Sequence, residues 1–405
     1  MADPGTPWLP MMAAGLARAG LLHTYAAPFA FQNSSPRLLK ALPDPLRRYA
    51  TSMIANRAVP DVIDASAIRR RASFLEAFTV LAHHAGPRAA SLSGPSARLR
   101  ALWFDRQISR LIEASDSAVV CIYGAALRSF QRARSLGVTS LLDFPIMHYR
   151  FAEALLQEEA ELQPSFADTL QFHQFPPEAA ERMDAEMAAA HRILVPSEVC
   201  RRTFEDAGVD RGKVLVLPYG VDTDLFRPPE KPRSDGVFRV IFVGQITQRK
   251  GISYLLEGFR RAALPRSELV LVGRPWGTGA AWRQAGGVRH INHVPRRELP
   301  RIYASADVFV MPSLVEGCVL TAIEAMACGL PVIVSDNALG GIVEDGVDGW
   351  VVPIRNTDAI ASRLTHLHEN PSERWRVGQA ARMKALDYSW ERYGERAATL
   401  IGALR

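Results

Sequence analysis

The stretch from Pro312 to Gly329, PSLVEGCVLTAIEAMACG, carries two carboxylates, Glu316 and Glu324, eight positions apart. The apolar run before it, DVFVM from Asp307 to Met311, has the length and β-branched content of a short buried strand, and Pro312-Ser313 closes that strand. Residues between the glutamates read as the start of a helix that ends at Gly329. If the whole interval were helical, both carboxylates would lie on roughly one face. The reading preferred here puts Glu316 in the loop at the helix mouth, where unsatisfied backbone N–H groups and the positive end of the dipole attract an anion. A carboxylate would repel a bare phosphate, so the ligand must also offer hydroxyls. A sugar attached to a phosphate meets both demands.

A second stretch, FRVIFVGQITQRKGISYLLEGF, supplies the opposite charge. A strand from Arg239 to Val243 runs into Gly244 and a short loop, then Arg249-Lys250-Gly251 and an amphipathic helix. Two cations before a helix N-terminus are charge-assisted donors for a diphosphate, and Gly251 allows the close turn. The D-x-D pair Asp222 and Asp224, in PYGVDTDLFRP, suits turn and hinge roles without an ion, so no metal site is assigned. Glu158-Glu159, in EALLQEEAEL, read as salt-bridged surface residues of a helix.

The elements that position these groups alternate strand and helix. SAVVCIYG, VTSLLDF, HRILVPS and VLVLPYG read as buried strands between helical patterns, and PVIVSD and GWVVP continue the series late in the chain. A chain of 405 residues is long for one core, and a Pro/Lys/Ser/Asp/Gly-rich linker ends at Gly236. The expected domains are residues 1–225 and 237–387, with Tyr388 to Leu404 as an amphipathic terminal helix. WLPMMAAGLARAGLL reads as a helix and HTYAAPF as the second strand of a Rossmann-like half. The first strand of that half should precede Asp3-Pro4-Gly5, and its absence predicts neighbours without ladder partners, hence a chain with a late start or an impaired copy.

Composition narrows the classes. A hydrophobic content of 48% with 22% charged residues excludes disorder, and a net charge of +6 suits an anionic ligand without demanding nucleic acid. The cysteines at 121, 200, 318 and 328 lack metal-ligand spacing and read as reduced thiols of a cytoplasmic protein. No run approaches a membrane span. Residues 34 to 115 read as Arg-rich and mostly helical, with RRR at 69 to 71; a solvated helix face is the first reading and weak peripheral contact with the inner face of a membrane the second.

The stretch around Glu316 and Glu324 resembles the E-x7-E signature of the family 4 retaining glycosyltransferases of GT-B fold, whose usual form runs EG-small-G-L-x-x-x-E-A-M-A-x-G-x-P-V. Cys318-Val319 stand where small residues are common, which bears on how a sugar fits the loop. Family members often carry Gly-Arg followed by Lys-Gly; here Gly244 is followed by Gln245, and Arg249 stands beside Lys250. The resemblance implies two Rossmann-like doubly wound α/β domains facing a central cleft, with helix 388–405 packing back on the first. It implies transfer of a sugar from a nucleotide diphosphate sugar to an acceptor hydroxyl, with retention of configuration, no metal and no cofactor. By the same resemblance Glu316 holds sugar hydroxyls and Glu324 accepts from the ribose. His148, in DFPIMHYR, contacts the donor sugar, and the backbone at His293 and Val294 lies along the nucleobase. Arg249, Lys250 and the N–H groups of Val319 and Leu320 would stabilise the leaving diphosphate. No side chain reads as a covalent nucleophile, and a front-face displacement is the mechanism implied. The acceptor stays open between a glycan, a lipid-linked glycan and a small metabolite.

Three other classes compete. A nucleotide-sugar epimerase shares the fold but would isomerise without transfer. A dinucleotide oxidoreductase needs G-x-G-x-x-G after a strand, and none is present. A non-catalytic or impaired scaffold that binds nucleotide sugar is the strongest rival, motivated by Cys318-Val319 and the absent first strand.

Overall fold

The computed structural model describes residues 1, 6–32, 58–71, 74, 93–171, 175–230, 233, 235–278, 280–283, 287–339 and 341–404. Two compact units divide the chain: Met1–Phe144 with Pro176–Leu194 and Glu391–Arg405, and Pro145–Phe175 with Val195–Trp390. This grouping departs from a division in chain order at 225–237. Pro145–Phe175 clusters with the later residues because its side chains and backbone are hydrogen-bonded and packed there, as shown below.

In the first unit β1 (Tyr25–Ala27) pairs in parallel with β2 (Ile68–Arg70), and β3 (Ala118–Ile122), β4 (Thr139–Asp143) and β5 (Arg192–Val195) form a parallel ladder. Their apolar runs are buried on both faces, as parallel strands between helices require. Arg69 and Arg70 therefore sit on a strand and not on the helix face expected of the RRR run, and Arg70 donates from Nε to the Ala30 carbonyl at 3.0 Å. A helix runs from Ser93 through the expected SLSGPS loop to Ser109, while 33–57 and 75–92 lie outside the described residues, as do the membrane contact and acceptor contacts expected there. No described helix is long and apolar enough to cross a membrane.

Among the described residues β1 and β2 form a two-stranded sheet of their own, with no ladder joining either to β3. The main chain of Met1 runs beside β1: its ammonium donates to Thr24 O at 2.7 Å and its carbonyl accepts from Ala26 N at 2.8 Å. Burial pushes that ammonium's pKa down. A cavity of about 440 Å³ opens there, lined by Leu16, Leu22, Ile108, Ile112, Val119 and Ile401.

In the second unit β6 (Val214–Val216) is followed by β7 (Phe238–Val243), β8 (Ser267–Val272), β9 (Val288–Ile291), β10 (Val308–Met311), β11 (Val332–Ser335) and β12 (Trp350–Val352). The last six make one parallel sheet in the order β12-β11-β10-β7-β8-β9. β10 and β11 are buried along their whole length, which is why DVFVM and PVIVSD read as continuous apolar runs.

The terminal helix Trp390–Gly402 crosses helix Leu9–Arg18 at a glycine pair: a Cβ on Gly15 would lie 2.2 Å from the Gly394 carbonyl oxygen. Backbone meets backbone there, with no flexible side chain to move aside. Gly15→Ala is expected to lower stability by about 1–3 kcal/mol through overpacking, read as a fall in the urea midpoint at unchanged m-value. An unaltered midpoint would show that the helices separate at no cost.

Candidate functional site

The winding of the second sheet reverses between β7 and β10, neighbours in space but separated in sequence by β8 and β9. At such a switch point the loops leaving adjacent carboxyl ends part in opposite directions and leave a crevice, where open α/β sheets hold ligands. The β7 loop carries Gly244 through Lys250, and the β10 loop carries Pro312 through Val319. Both charged stretches singled out in the sequence therefore issue from this one place.

The two loops are joined at their backbones. Gly251 is left-handed, with φ of 69°, and a Cβ on it would sit 2.0 Å from Pro312 O, so any side chain would force the loops apart. Leu314 N donates to Arg249 O at 2.9 Å. Across this seam lies an ionic triad. Arg249 Nη1 donates to Glu316 Oε1 and to Val315 O, each at 2.7 Å, and Lys250 Nζ donates to the same Glu316 oxygen at 2.7 Å. Burial alone would push the Glu316 carboxyl up, but the charges of Arg249 and Lys250 and their hydrogen bonds outweigh it and hold the group below the usual carboxylate range. Lys250 moves down through burial, partly offset by Glu316. Gly244, at the end of β7, lies against the Lys250 stem, whose Cδ and Cε would be 3.5 Å from a Cβ there.

Beyond Glu316 the loop is fixed from behind. A Cβ on Gly317 would lie 1.8 Å from Pro145 O, so only glycine passes. The Cys200 thiol, pushed up to about 12 by burial and hence protonated, donates to the carbonyls of Glu316 at 3.5 Å and Gly317 at 3.6 Å. Cys318, on the same loop, is buried. Val319 caps helix Leu320–Ala327 and contributes no side-chain acceptor; its carbonyl takes the Ala322 amide at 3.0 Å, so of the first turn the N–H groups of Leu320 and Thr321 are the ones turned to a ligand. Two buried hydroxyls in these loops, Thr247 Oγ1 and Ser313 Oγ, have no hydrogen-bond partner among the described residues.

Glu324 follows on that helix, 4% exposed, accepts from Tyr303 OH at 3.1 Å and forms an ion pair with Arg296 Nη2 at 2.9 Å. Burial pushes its carboxyl up to about 7, and Arg296 only moderates this because the guanidinium is itself 44% exposed and shares its charge with water. Arg296 also lies over the Phe226 ring, 5.5 Å from its centroid.

His148 caps helix Tyr149–Leu162. Its Nδ1 accepts from Arg150 N at 3.3 Å, which puts the proton of a neutral ring on Nε2, and its own amide donates to Thr203 Oγ1 at 2.9 Å. The ring stacks on Tyr149 with centroids 4.9 Å apart and meets Phe204 edge-on at 5.0 Å. It is 1% exposed, so a substrate reaches Nε2 only if the neighbouring side chains yield. His293 and Val294 lie on the loop after β9, exposed and half-buried respectively. Asp222 closes its own turn, accepting from Asp224 N at 3.2 Å and Leu225 N at 2.9 Å.

The surface reading of Glu159 is corrected. Glu158 is exposed and pairs with Arg355 at 3.0 Å, but Glu159 is fully buried and accepts from Gln248 Nε2 at 2.7 Å, Tyr254 OH at 2.8 Å and Arg355 Nε at 2.8 Å. Sequence reasoning also passed over Arg296, Tyr303, Gln248 and Cys200. A helical wheel would have found Glu159, which falls in phase with the buried Ala152 and Leu156. Nothing in the sequence flags Arg355, which enters with a positive φ of 65° that an arginine rarely takes.

Residues 237–370 match the family model for glycosyl transferases group 1. The chain is 33% identical over 240 residues to a GDP-mannose-dependent alpha-(1-6)-phosphatidylinositol monomannoside mannosyltransferase of Mycolicibacterium smegmatis, covering 53% of this chain and 62% of the relative. It is 30% identical over 247 residues to a D-inositol 3-phosphate glycosyltransferase of Kribbella flavida, covering 53% and 58%. The chain thus spans about three fifths of the length of these curated relatives. Among solved structures, sucrose-phosphate synthase of Thermosynechococcus elongatus superposes with a TM-score of 0.63 at 20% identity over 98% of this chain and 92% of that one. Anabaena HepE in complex with UDP does so with a TM-score of 0.62 at 14% identity over 99% and 98%. The fold is the GT-B fold of these glycosyltransferases.

The raised pKa of Glu324 has a signed consequence. The folded state binds a proton more tightly than the unfolded chain, so the stabilisation is complete below about 4.5 and is lost as pH rises through about 7. Thermal melts of wild type and Glu324→Gln from pH 4.5 to 8 should show the wild type losing Tm relative to the variant across that window. Parallel curves would mean that Glu324 is ionised throughout.

Proposed function

We propose that this chain is a retaining glycosyltransferase of family 4 type, moving a sugar from a nucleotide diphosphate sugar to an acceptor hydroxyl. The observation that supports it most is the convergence of Arg249, Lys250 and Glu316 at the β7/β10 switch point, beside a helix mouth without a side-chain cap. The matched relatives, which act on inositol phosphates or use GDP-mannose, and neighbours solved with UDP favour a UDP- or GDP-linked donor and a polyol or glycan hydroxyl as acceptor.

The chemistry follows from charge. Cleaving the bond between the anomeric carbon and phosphate leaves a diphosphate with growing negative charge, which buried cations stabilise more strongly than water-exposed ones. Arg249, Lys250 and the first-turn N–H groups supply that positive potential without a metal. Diphosphate oxygens compete with Glu316 for the two cations, and a displaced Glu316 is placed to accept from sugar hydroxyls. Glu324 takes the ribose hydroxyls in exchange for Tyr303 or Arg296. His148 Nε2–H is a donor toward the sugar. In a front-face displacement the acceptor oxygen bonds to the anomeric carbon on the side the phosphate leaves, and the acceptor proton passes to the leaving phosphate oxygen.

Thermal-shift screening against UDP-, GDP- and ADP-sugars should give one family of ligands that raises Tm, since they bind only the folded state. With that donor, Glu316→Gln is expected to lower kcat by about 10²–10³-fold, while Lys250→Ala chiefly weakens nucleoside diphosphate binding. Binding without turnover of the wild type on any acceptor pool would establish the donor-binding scaffold instead.

A further inference from the structure

The mechanism proposed for the site leaves one buried carboxylate unused. Glu159 lies on the helix that begins at His148, eleven residues on and about 16 Å along the axis. Its three side-chain donors come from the β7 loop (Gln248), the helix after that loop (Tyr254) and the loop beyond β12 (Arg355). Burial and the Glu159 charge raise the Tyr254 pKa, so its hydroxyl stays a donor.

Gln248 immediately precedes the two cations, and every polar atom of its side chain is held. Its Nε2 donates to Glu159 and, at 2.6 Å, to Ser253 Oγ; its Oε1 accepts from Ser253 N at 3.1 Å. Its backbone amide donates to Thr169 Oγ1 at 2.9 Å, and Thr169 ends the short turn that follows the Glu159 helix. Arg355 grips the same helix again, through Nη1 to Glu158 at 3.0 Å and Nη2 to Leu155 O at 3.4 Å. One rigid helix thus carries His148 at its start and, near its other end, the carboxylate that locks the residue before Arg249. A buried carboxylate with all donors in place costs several kcal/mol to desolvate, so a neutral side chain would serve packing alone as well.

We propose that Glu159 is a positioning residue: it fixes the separation between His148 and the Arg249-Lys250 loop, so that one donor molecule meets its sugar contact and its diphosphate contacts together. This rests on the glycosyltransferase reading for its consequence in catalysis but not for its mechanical content. The energetic logic is that misplacing a reacting group by about 1 Å costs about 10²-fold in rate while leaving local binding groups intact.

Two measurements on Glu159→Gln, which keeps the volume, test it. Hydrogen–deuterium exchange should rise at amides 149–152 and 247–251 together, with folding still cooperative; a rise confined to residues around 159 would overturn the proposal whatever the protein catalyses. In donor hydrolysis with the UDP- or GDP-sugar that stabilises the wild type, kcat should fall about 10–100-fold while the Kd for UDP or GDP changes less than about threefold. In a His148→Ala background the same substitution should cost less than about twofold, because the placement it secures is already useless. A proportionate loss of nucleoside diphosphate affinity, or a full loss of rate in that background, would overturn it. Failure of the functional reading looks different: no nucleotide sugar shifts the wild-type Tm, yet the paired exchange response stands.

Discussion

The structure depends on one carboxylate oxygen that takes two cations. Glu316 Oε1 receives Arg249 and Lys250 at 2.7 Å each in a buried setting, where desolvating three charged groups is expensive and only close pairing with extra hydrogen bonds offsets it. The surroundings are arranged for that. Val315 O takes a further Arg249 proton, and the Cys200 thiol fixes the carbonyl of Glu316 itself. The triad carries a net positive charge, so it is stable as a contact yet still attracts an anion. A site with no internal carboxylate would hold two like charges together with nothing between them, and a site with two would be neutral and lose its attraction for a diphosphate.

Topology makes the triad possible at low cost. Arg249 and Glu316 are 67 positions apart in sequence, but they leave the carboxyl ends of neighbouring strands, so the sheet brings them together before any loop packing is needed. Gly251 then brings the two loops closer than any side chain would permit, and Gly317 seats the β10 loop against Pro145 O. The order of dependence runs from strand pairing, to backbone seam, to ion pair. A change in the sheet register would displace the charges, whereas a change of charge leaves the sheet untouched.

Much of this was legible in the sequence because it is carried by period and type. β7, β10, β11 and β12 appear as apolar runs within a residue or so of their ends, and Glu316, Arg249, Lys250 and Gly251 stand at the loop mouths that follow. What stayed hidden depends on packing between distant segments. Arg296 reaches Glu324 across 28 positions, and a turn arginine looks the same in sequence whether it pairs or points to water. His148 was legible as the residue after a strand, but its role as a cap, with Nδ1 occupied, follows from the turn its backbone makes. Pro145–Phe175 also belongs with residues far from its sequence neighbours, because its hydrogen bonds run to residues about 75 to 200 positions ahead.

Glu159 shows where sequence reasoning failed for a physical reason. Two adjacent glutamates in a charged helix resemble a solvated face, and for Glu158 that is correct. One residue is about 100° of helix, enough to carry Glu159 from water into the stripe of Ala152 and Leu156. Burial there would be ruinous for an isolated carboxylate and is sustained only because Gln248, Tyr254 and Arg355 arrive from separate elements. A buried charge is satisfied only in one arrangement of its donors, so it selects that arrangement more sharply than an apolar contact does. The same property that hid Glu159 from the sequence lets it specify how the His148 helix sits against the cation loop.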